Sequence, residues 1–97
     1  MKPPYAENVS SMYGAPMGRR SHNLNNYSGE PLHLRRVPLN QGYDTGGAYW
    51  GDGTPLYCAF GRLMNGDIFT HYVRATNRKE AKRLVDEDTA TPARWKH

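Results

Sequence analysis

Leu56-Tyr57-Cys58-Ala59-Phe60, then Met64-Asn65-Gly66-Asp67, then Ile68-Phe69-Thr70-His71-Tyr72-Val73-Arg74 decide the fold of this 97-residue chain. The two outer runs are rich in the aromatic and β-branched residues that suit a half-buried, pleated strand. The Asn-Gly step between them tolerates the backbone of a tight turn, so the stretch predicts an antiparallel hairpin with strands near 56–63 and 68–75. In the first strand Leu56, Cys58 and Phe60 share a face, taken as the one the helix covers. Tyr57 and Ala59 then fall on the opposite face with part of Phe69, His71 and Val73.

Working outward, Leu32-His33-Leu34-Arg35 alternates apolar and polar, as a half-buried strand does. Arg36-Val37-Pro38-Leu39 breaks the phase, and Pro38 lacks a ladder donor. A strand near 32–39 is therefore predicted at a sheet edge, with a bulge near Arg36. On the C-terminal side Asn77 suits a helix N-cap, and Glu80 stands three residues on in the capping-box relation. Ala81, Leu84 and Val85 form an apolar stripe at helical spacing, and Asp86-Glu87-Asp88 opposes the macrodipole where the helix should fray. The expectation is an α+β fold: a small three-stranded antiparallel sheet packed by one C-terminal helix near 77–87. Residues 1–31 read as a flexible or loosely docked basic N-terminal arm, 32–88 as the β-β-β-α domain, and 89–97 as a C-terminal tail. Tyr5, Met12, Tyr13, Met17 and Tyr27 punctuate an arm otherwise too poor in aliphatics to order itself. Trp95, in the tail, is a candidate to dock on the sheet or helix, or to touch a partner.

Between the first two strands lies Gly42-Tyr43-Asp44-Thr45-Gly46-Gly47-Ala48-Tyr49-Trp50-Gly51-Asp52-Gly53-Thr54-Pro55. Its glycines are too many for a helix or long strand, yet its rings are too bulky for a plain linker. Such a loop either folds over the core or is shaped to hold something.

Composition sets limits. Hydrophobic residues make up 37% of the chain, and the mean hydropathy is −0.86. A core this small supplies roughly 3–5 kcal/mol, so a partner or self-association into a homo-oligomer is one way to complete it. One cysteine excludes an internal disulfide and argues against zinc. No run approaches a membrane span, and Met1 to Pro4 lacks the start of a signal peptide, so a soluble cytoplasmic protein is expected. The net charge is +4. Residues 1–40 carry five Lys/Arg against two Asp/Glu and residues 41–97 eight against seven, so the excess lies mostly in the arm and first strand. A basic arm attracts phosphate without regard to sequence.

Enzyme readings find little to stand on. Cys58 and His71 lie in the two strands of one hairpin, but Cys58 shares its face with Leu56 and Phe60, as a structural thiol does. The four histidines have no metal-ligand spacing, and Asp44 and Asp52, in a glycine-rich loop, are ordinary turn chemistry. No nucleophile elbow, Walker loop or dinucleotide fingerprint is present. A non-enzymatic protein without cofactor or metal is expected. Binding readings remain. Arg35, Arg36, Arg62, Arg74 and Arg78 are candidate nucleic-acid contacts in or beside strands and helix. Aromatics with basic neighbours on a sheet can stack bases or enter a groove. Strand-strand-strand-helix also resembles the sheet-based DNA-binding modules of plant AP2-type factors and integrase arm domains, at the level of architecture alone. Tyr43, Tyr49, Trp50 and Tyr57 are the candidate partner-binding residues, since Tyr and Trp are favoured interface anchors. The alternative use for Tyr49 and Trp50 is packing under the loop.

The run Gly42-Tyr43-Asp44 through Gly46-Gly47-Ala48-Tyr49-Trp50-Gly51, continued by Gly53-x-Pro55-Leu56-Tyr57, resembles small uncharacterised proteins of bacterial phages, plasmids and integrative elements. Arg74-Ala75 and the segment from Arg78 to Val85 continue that likeness, which covers about residues 32–86. It implies a mobile-element origin in a bacterial host cell and transfers no functional residue. In that setting the expected partner is nucleic acid or a host nucleoprotein complex. The alternative is a protein-directed inhibitor of a host complex, an anti-defence protein such as an anti-CRISPR acting by steric occlusion. A nucleic-acid face should gather Arg35, Arg62 and Arg74 around exposed rings. An inhibitor should instead show an apolar patch or bare edge.

Overall fold

Asn65-Gly66 turns the chain as its sequence predicts. Gly66 takes φ +93°, its N–H donates to Leu63 O (2.9 Å), and Leu63 N–H donates to Asp67 O (2.8 Å). The strands so joined are β2 (Leu56–Arg62) and β3 (Ile68–Arg74), preceded by β1 (Pro31–Val37) and followed by α1 (Arg78–Thr89) and β4 (Arg94–Trp95). These come from a computed structural model that describes residues 18–96; the expected arm through residue 17, with Tyr5, Met12, Tyr13 and Met17, lies outside them. The described chain divides into two compact units, residues 21–37 with 54–96, and residues 18–20 with 38–53.

The larger unit is an α+β structure with one α-helix among the described residues and a four-stranded mixed sheet in the order β3-β2-β1-β4. β1–β2 and β2–β3 are antiparallel, and β4 runs parallel to β1 through Pro31↔Arg94 and Leu32↔Trp95. The expected three-stranded antiparallel sheet is thus its centre, and the fourth strand comes from the segment read as a tail. Two corrections concern β1. It lies between β2 and β4 rather than at an edge, and its register runs one-to-one from His33↔Phe60 to Val37↔Leu56, with no bulge at Arg36. It ends at Val37 because Pro38 cannot donate to the ladder. The edge carbonyls of Leu32 and Leu34 accept from Lys96 N–H (2.7 Å) and Arg78 Nη2 (2.9 Å).

The face on which α1 packs is also corrected. The core joins Leu32 and Leu34 to Tyr57, Ala59, Phe69 and Val73 of the sheet and to Ala81 and Val85 of α1, with Leu84 against its margin. Leu56, Cys58 and Phe60 therefore point away from the helix. The register dictates this: Tyr57 pairs with Val73, and Leu34 with Ala59, so the helix side of β2 must be the one that meets the apolar residues of its neighbours. Tyr57 is only 4% exposed, lies beneath the Arg36 guanidinium at 6.0 Å, and is a core residue rather than a surface contact. α1 starts where expected. Asn77 Oδ1 accepts from Glu80 N–H (2.9 Å), while Glu80 Oε1 reaches past the cap to Thr76 N–H (2.9 Å) and Oγ1 (3.1 Å). Its acidic end runs on to Thr89 because each carboxylate has a partner: Asp86 accepts from Ala93 N–H (2.9 Å), Asp88 contacts His71 (2.8 Å), and Glu87 pairs with Arg83.

The segment before β1 belongs to this unit and is anchored, where sequence reading expected loose docking. His22 and Thr70 exchange backbone hydrogen bonds (2.8 and 3.1 Å) along the outer edge of β3. Tyr27 is buried with its ring 5.0 Å from Phe69 and its hydroxyl donating to Glu30 O (2.5 Å). The Glu30 carboxylate, also buried, accepts from Ser28 N–H (2.8 Å), Ser28 Oγ (3.2 Å) and Met64 N–H (3.0 Å). Those bonds, Ser28 first, hold its pKa below the usual glutamate value.

Candidate functional site

Side chains alternate across a strand, so the register fixes which of them share a face. Away from the helix β1 presents His33, Arg35 and Val37, β2 presents Leu56, Cys58, Phe60 and Arg62, and β3 presents Ile68, Thr70, Tyr72 and Arg74. Arg35, Arg62 and Arg74 thus lie on one face, together with His33, Phe60 and Tyr72, and among the described strand residues of that face there is no carboxylate. His33, Arg35, Arg62 and Ile68 are exposed, Phe60, Thr70, Tyr72 and Arg74 half-buried, and Val37, Leu56 and Cys58 buried. The His33 and Phe60 rings stack across the strand pair, with centroids 5.3 Å apart and planes at 21°. Arg62 donates to Gly66 O (2.7 Å) and Arg74 to Thr54 O (2.7 Å), which fixes both side chains at the ends of their strands.

The other two candidate arginines are elsewhere. Arg36 lies over Tyr57 on the helix side, and Arg78 on α1 donates to Leu34 O. Sequence reading therefore grouped five arginines of which the fold brings three together. It missed the ring pair, because Phe60 was assigned to the core and His33 was only the polar phase of a strand.

The glycine-aromatic loop, in the smaller unit, is organised around one carboxylate. Asp44 accepts from Arg19 Nε (2.7 Å) and Nη2 (2.9 Å), Gly46 N–H (2.9 Å), Ala48 N–H (3.0 Å) and Trp50 Nε1 (2.9 Å). Its side chain is 6% exposed. The Arg19 hydrogen bonds, then those from Trp50 and Ala48, hold its carboxyl well below the usual aspartate range against an opposing effect of burial. Asp44 N–H donates to Ala48 O (2.9 Å), Gly47 N–H to Asp44 O (3.0 Å) and Trp50 N–H to Gly42 O (2.6 Å), closing a small hairpin. Gly18 lies so close under Trp50 that a Cβ there would stand 2.2 Å from the ring. Trp50 is therefore held within the loop, whereas Tyr43 is 50% exposed and packs on Tyr49 with centroids 4.8 Å apart. A hollow of about 420 Å³ lies beside Tyr43, lined by Pro38, Leu39, Asn40, Gln41, Asp44 and Thr45.

Two constellations have catalytic residue types. Cys58 and His71 point to opposite faces, since Cys58 pairs with Tyr72 and His71 with Ala59; burial pushes the Cys58 thiol up. Ser21 Oγ and His71 Nδ1 are 2.5 Å apart, and His71 Nε2 and Asp88 Oδ2 2.8 Å. A nucleophilic serine needs nearby donors for the developing oxyanion. The amide following Ser21 is already given to Thr70 O. The Ser21–His71–Asp88 line joins, as a clasp, the first residues of this unit, β3 and the end of α1. Among the described residues no three His, Cys, Asp or Glu side chains are grouped to hold a metal ion, and no helix is long and apolar enough to cross a membrane.

Comparison with protein-family models, curated proteins and solved structures finds no match to this chain.

Proposed function

We propose that this chain is a non-enzymatic binding protein that engages nucleic acid, or a nucleoprotein complex, through the sheet face opposite α1. The observation that carries the reading is the strand parity, which gathers Arg35, Arg62 and Arg74 around His33, Phe60 and Tyr72 with no acidic residue among them. Guanidinium groups fix phosphate positions, and rings on a sheet accept bases. The proposed setting is a phage or plasmid and its bacterial host.

The test is fluorescence anisotropy with labelled DNA and RNA over a range of salt. Three arginine–phosphate contacts give a log–log salt slope of about −2 on a single strand. Arg35→Ala should flatten it by about 0.7, while Arg36→Ala, over Tyr57 on the other side, leaves it unchanged. Binding no stronger than that of a basic peptide of equal charge refutes the reading.

A second reading, a protein-directed inhibitor of a host complex, is favoured by the exposed Tyr43 beside its hollow. In that case Tyr43→Ala, not Arg35→Ala, abolishes inhibition of a reconstituted host defence complex.

A further inference from the structure

The helix-free face distinguishes between the two forms in which nucleic acid reaches a protein. Counting rows along the strands, Arg62 stands in one row, the His33–Phe60 pair in the next and Arg35 in the one beyond. Same-face rows are about 7 Å apart. The stacked rings are thus bracketed along the strand axis by a cation on either side, an order that suits phosphate, base, phosphate.

The width of the sheet argues against a duplex. A β-ribbon reader enters the major groove, about 12 Å wide, with two strands. At the ring row this sheet carries the His22 segment beside Thr70, then β3, β2 and β1, with β4 pairing at the adjacent Leu32. Three inter-strand spacings of about 4.8 Å at the ring row, and four where β4 joins at Leu32, make the layer roughly 14–19 Å across, broader than the groove. The layer therefore cannot enter edge-on as a two-stranded ribbon does, and splayed, unpaired bases are those placed to stack on the rings.

We infer that the face takes single-stranded nucleic acid, with one base on the Phe60–His33 pair and its flanking phosphates on Arg35 and Arg62. This rests on the nucleic-acid reading above and specifies the form of its ligand. The absence of carboxylates among the described strand residues of the face matches the charge of the phosphate backbone, and stacking on rings tolerates any base.

The experiment compares single-stranded DNA and RNA of ~12 nucleotides, a hairpin duplex of the same composition, and inorganic polyphosphate, which has charge but no bases. Single strands of one or both sugars should bind at least about tenfold more tightly than the duplex at equal salt. Phe60→Leu and His33→Ala should each weaken that binding roughly tenfold and leave polyphosphate binding unchanged. His33 is exposed, so its variant tests the ring even where Phe60→Leu disturbs folding, and circular dichroism and thermal melting check both. Equal affinity for duplex and single strand, or ring variants without effect, overturns the single-strand inference and leaves the nucleic-acid reading standing. A folded protein that binds none of the oligonucleotides overturns both.

Discussion

Asp44→Asn removes one charge from the centre of the glycine-aromatic loop and changes almost nothing in shape. The carboxylate faces five donors, three of them through Oδ1 (Gly46 N–H, Ala48 N–H and Arg19 Nη2) and two through Oδ2 (Arg19 Nε and Trp50 Nε1). An asparagine can keep its oxygen toward the first set, but its NH₂ then confronts the second, donor against donor. Hydrogen bonds to a charged group contribute about 1.5–3 kcal/mol each. Arg19 is 36% exposed and regains water, so the net loss is about 2–4 kcal/mol. It falls on the loop unit and not on the sheet, so the assay is local. Amide hydrogen exchange at Asp44, Gly47 and Trp50, whose N–H groups bond backbone carbonyls, should accelerate roughly 30- to 700-fold. The acid response gives a second readout. The folded pKa lies below the unfolded value of about 3.9, so the stabilisation is complete above roughly pH 5 and is lost as pH falls through the depressed folded value. The Trp50 indole N–H resonance should follow that loss in the native protein and stay flat over the same window in Asp44→Asn. Exchange rates unchanged within about threefold would refute the carboxylate as organiser of the loop.

Two further outcomes are expected. In Gly61→Ala the new methyl would stand 2.6 Å from Pro31 O and 2.9 Å from Leu32 Cδ2; since a backbone oxygen yields little, a loss of about 1–3 kcal/mol should appear in chemical denaturation, and a neutral result would mean β1 and β2 separate easily. His71→Ala releases Ser21 and Asp88 together, so exchange at the His22 amide should quicken while that at Phe60 stays as it was; equal acceleration of both would show that the clasp supports the whole sheet.

Much of the centre of this fold is legible in the sequence. Asn65-Gly66 between two apolar runs specifies the hairpin, and Asn77 with the stripe at 81, 84 and 85 specifies the helix. The face of β2 was not legible, because Leu56 to Phe60 is apolar or aromatic at every position and a period of two has no phase there. Its neighbours set that phase: Leu32 and Leu34 alternate with His33 and Arg35, and the hairpin register carries the choice across. β4 escapes notice since two residues show no alternation, and their partner lies far away in the chain. The anchoring before β1 is hidden for a similar reason. A composition poor in aliphatics conceals one Tyr27, whose ring and hydroxyl are both used. The arginine cluster was visible as a list but not as a surface, because parity between strands depends on register.

The parallel pairing of β1 with β4 has a consequence for how the chain is made. Pro31 and Arg94 are 63 residues apart, so at ribosomal rates of about 5–20 residues per second β1 waits roughly 3–13 s for its outer neighbour. Throughout that interval the Leu32 carbonyl and its edge stand open to any other extended chain. The nascent protein is thus most vulnerable to wrong pairing late in synthesis, with the hairpin complete and the last strand still to come.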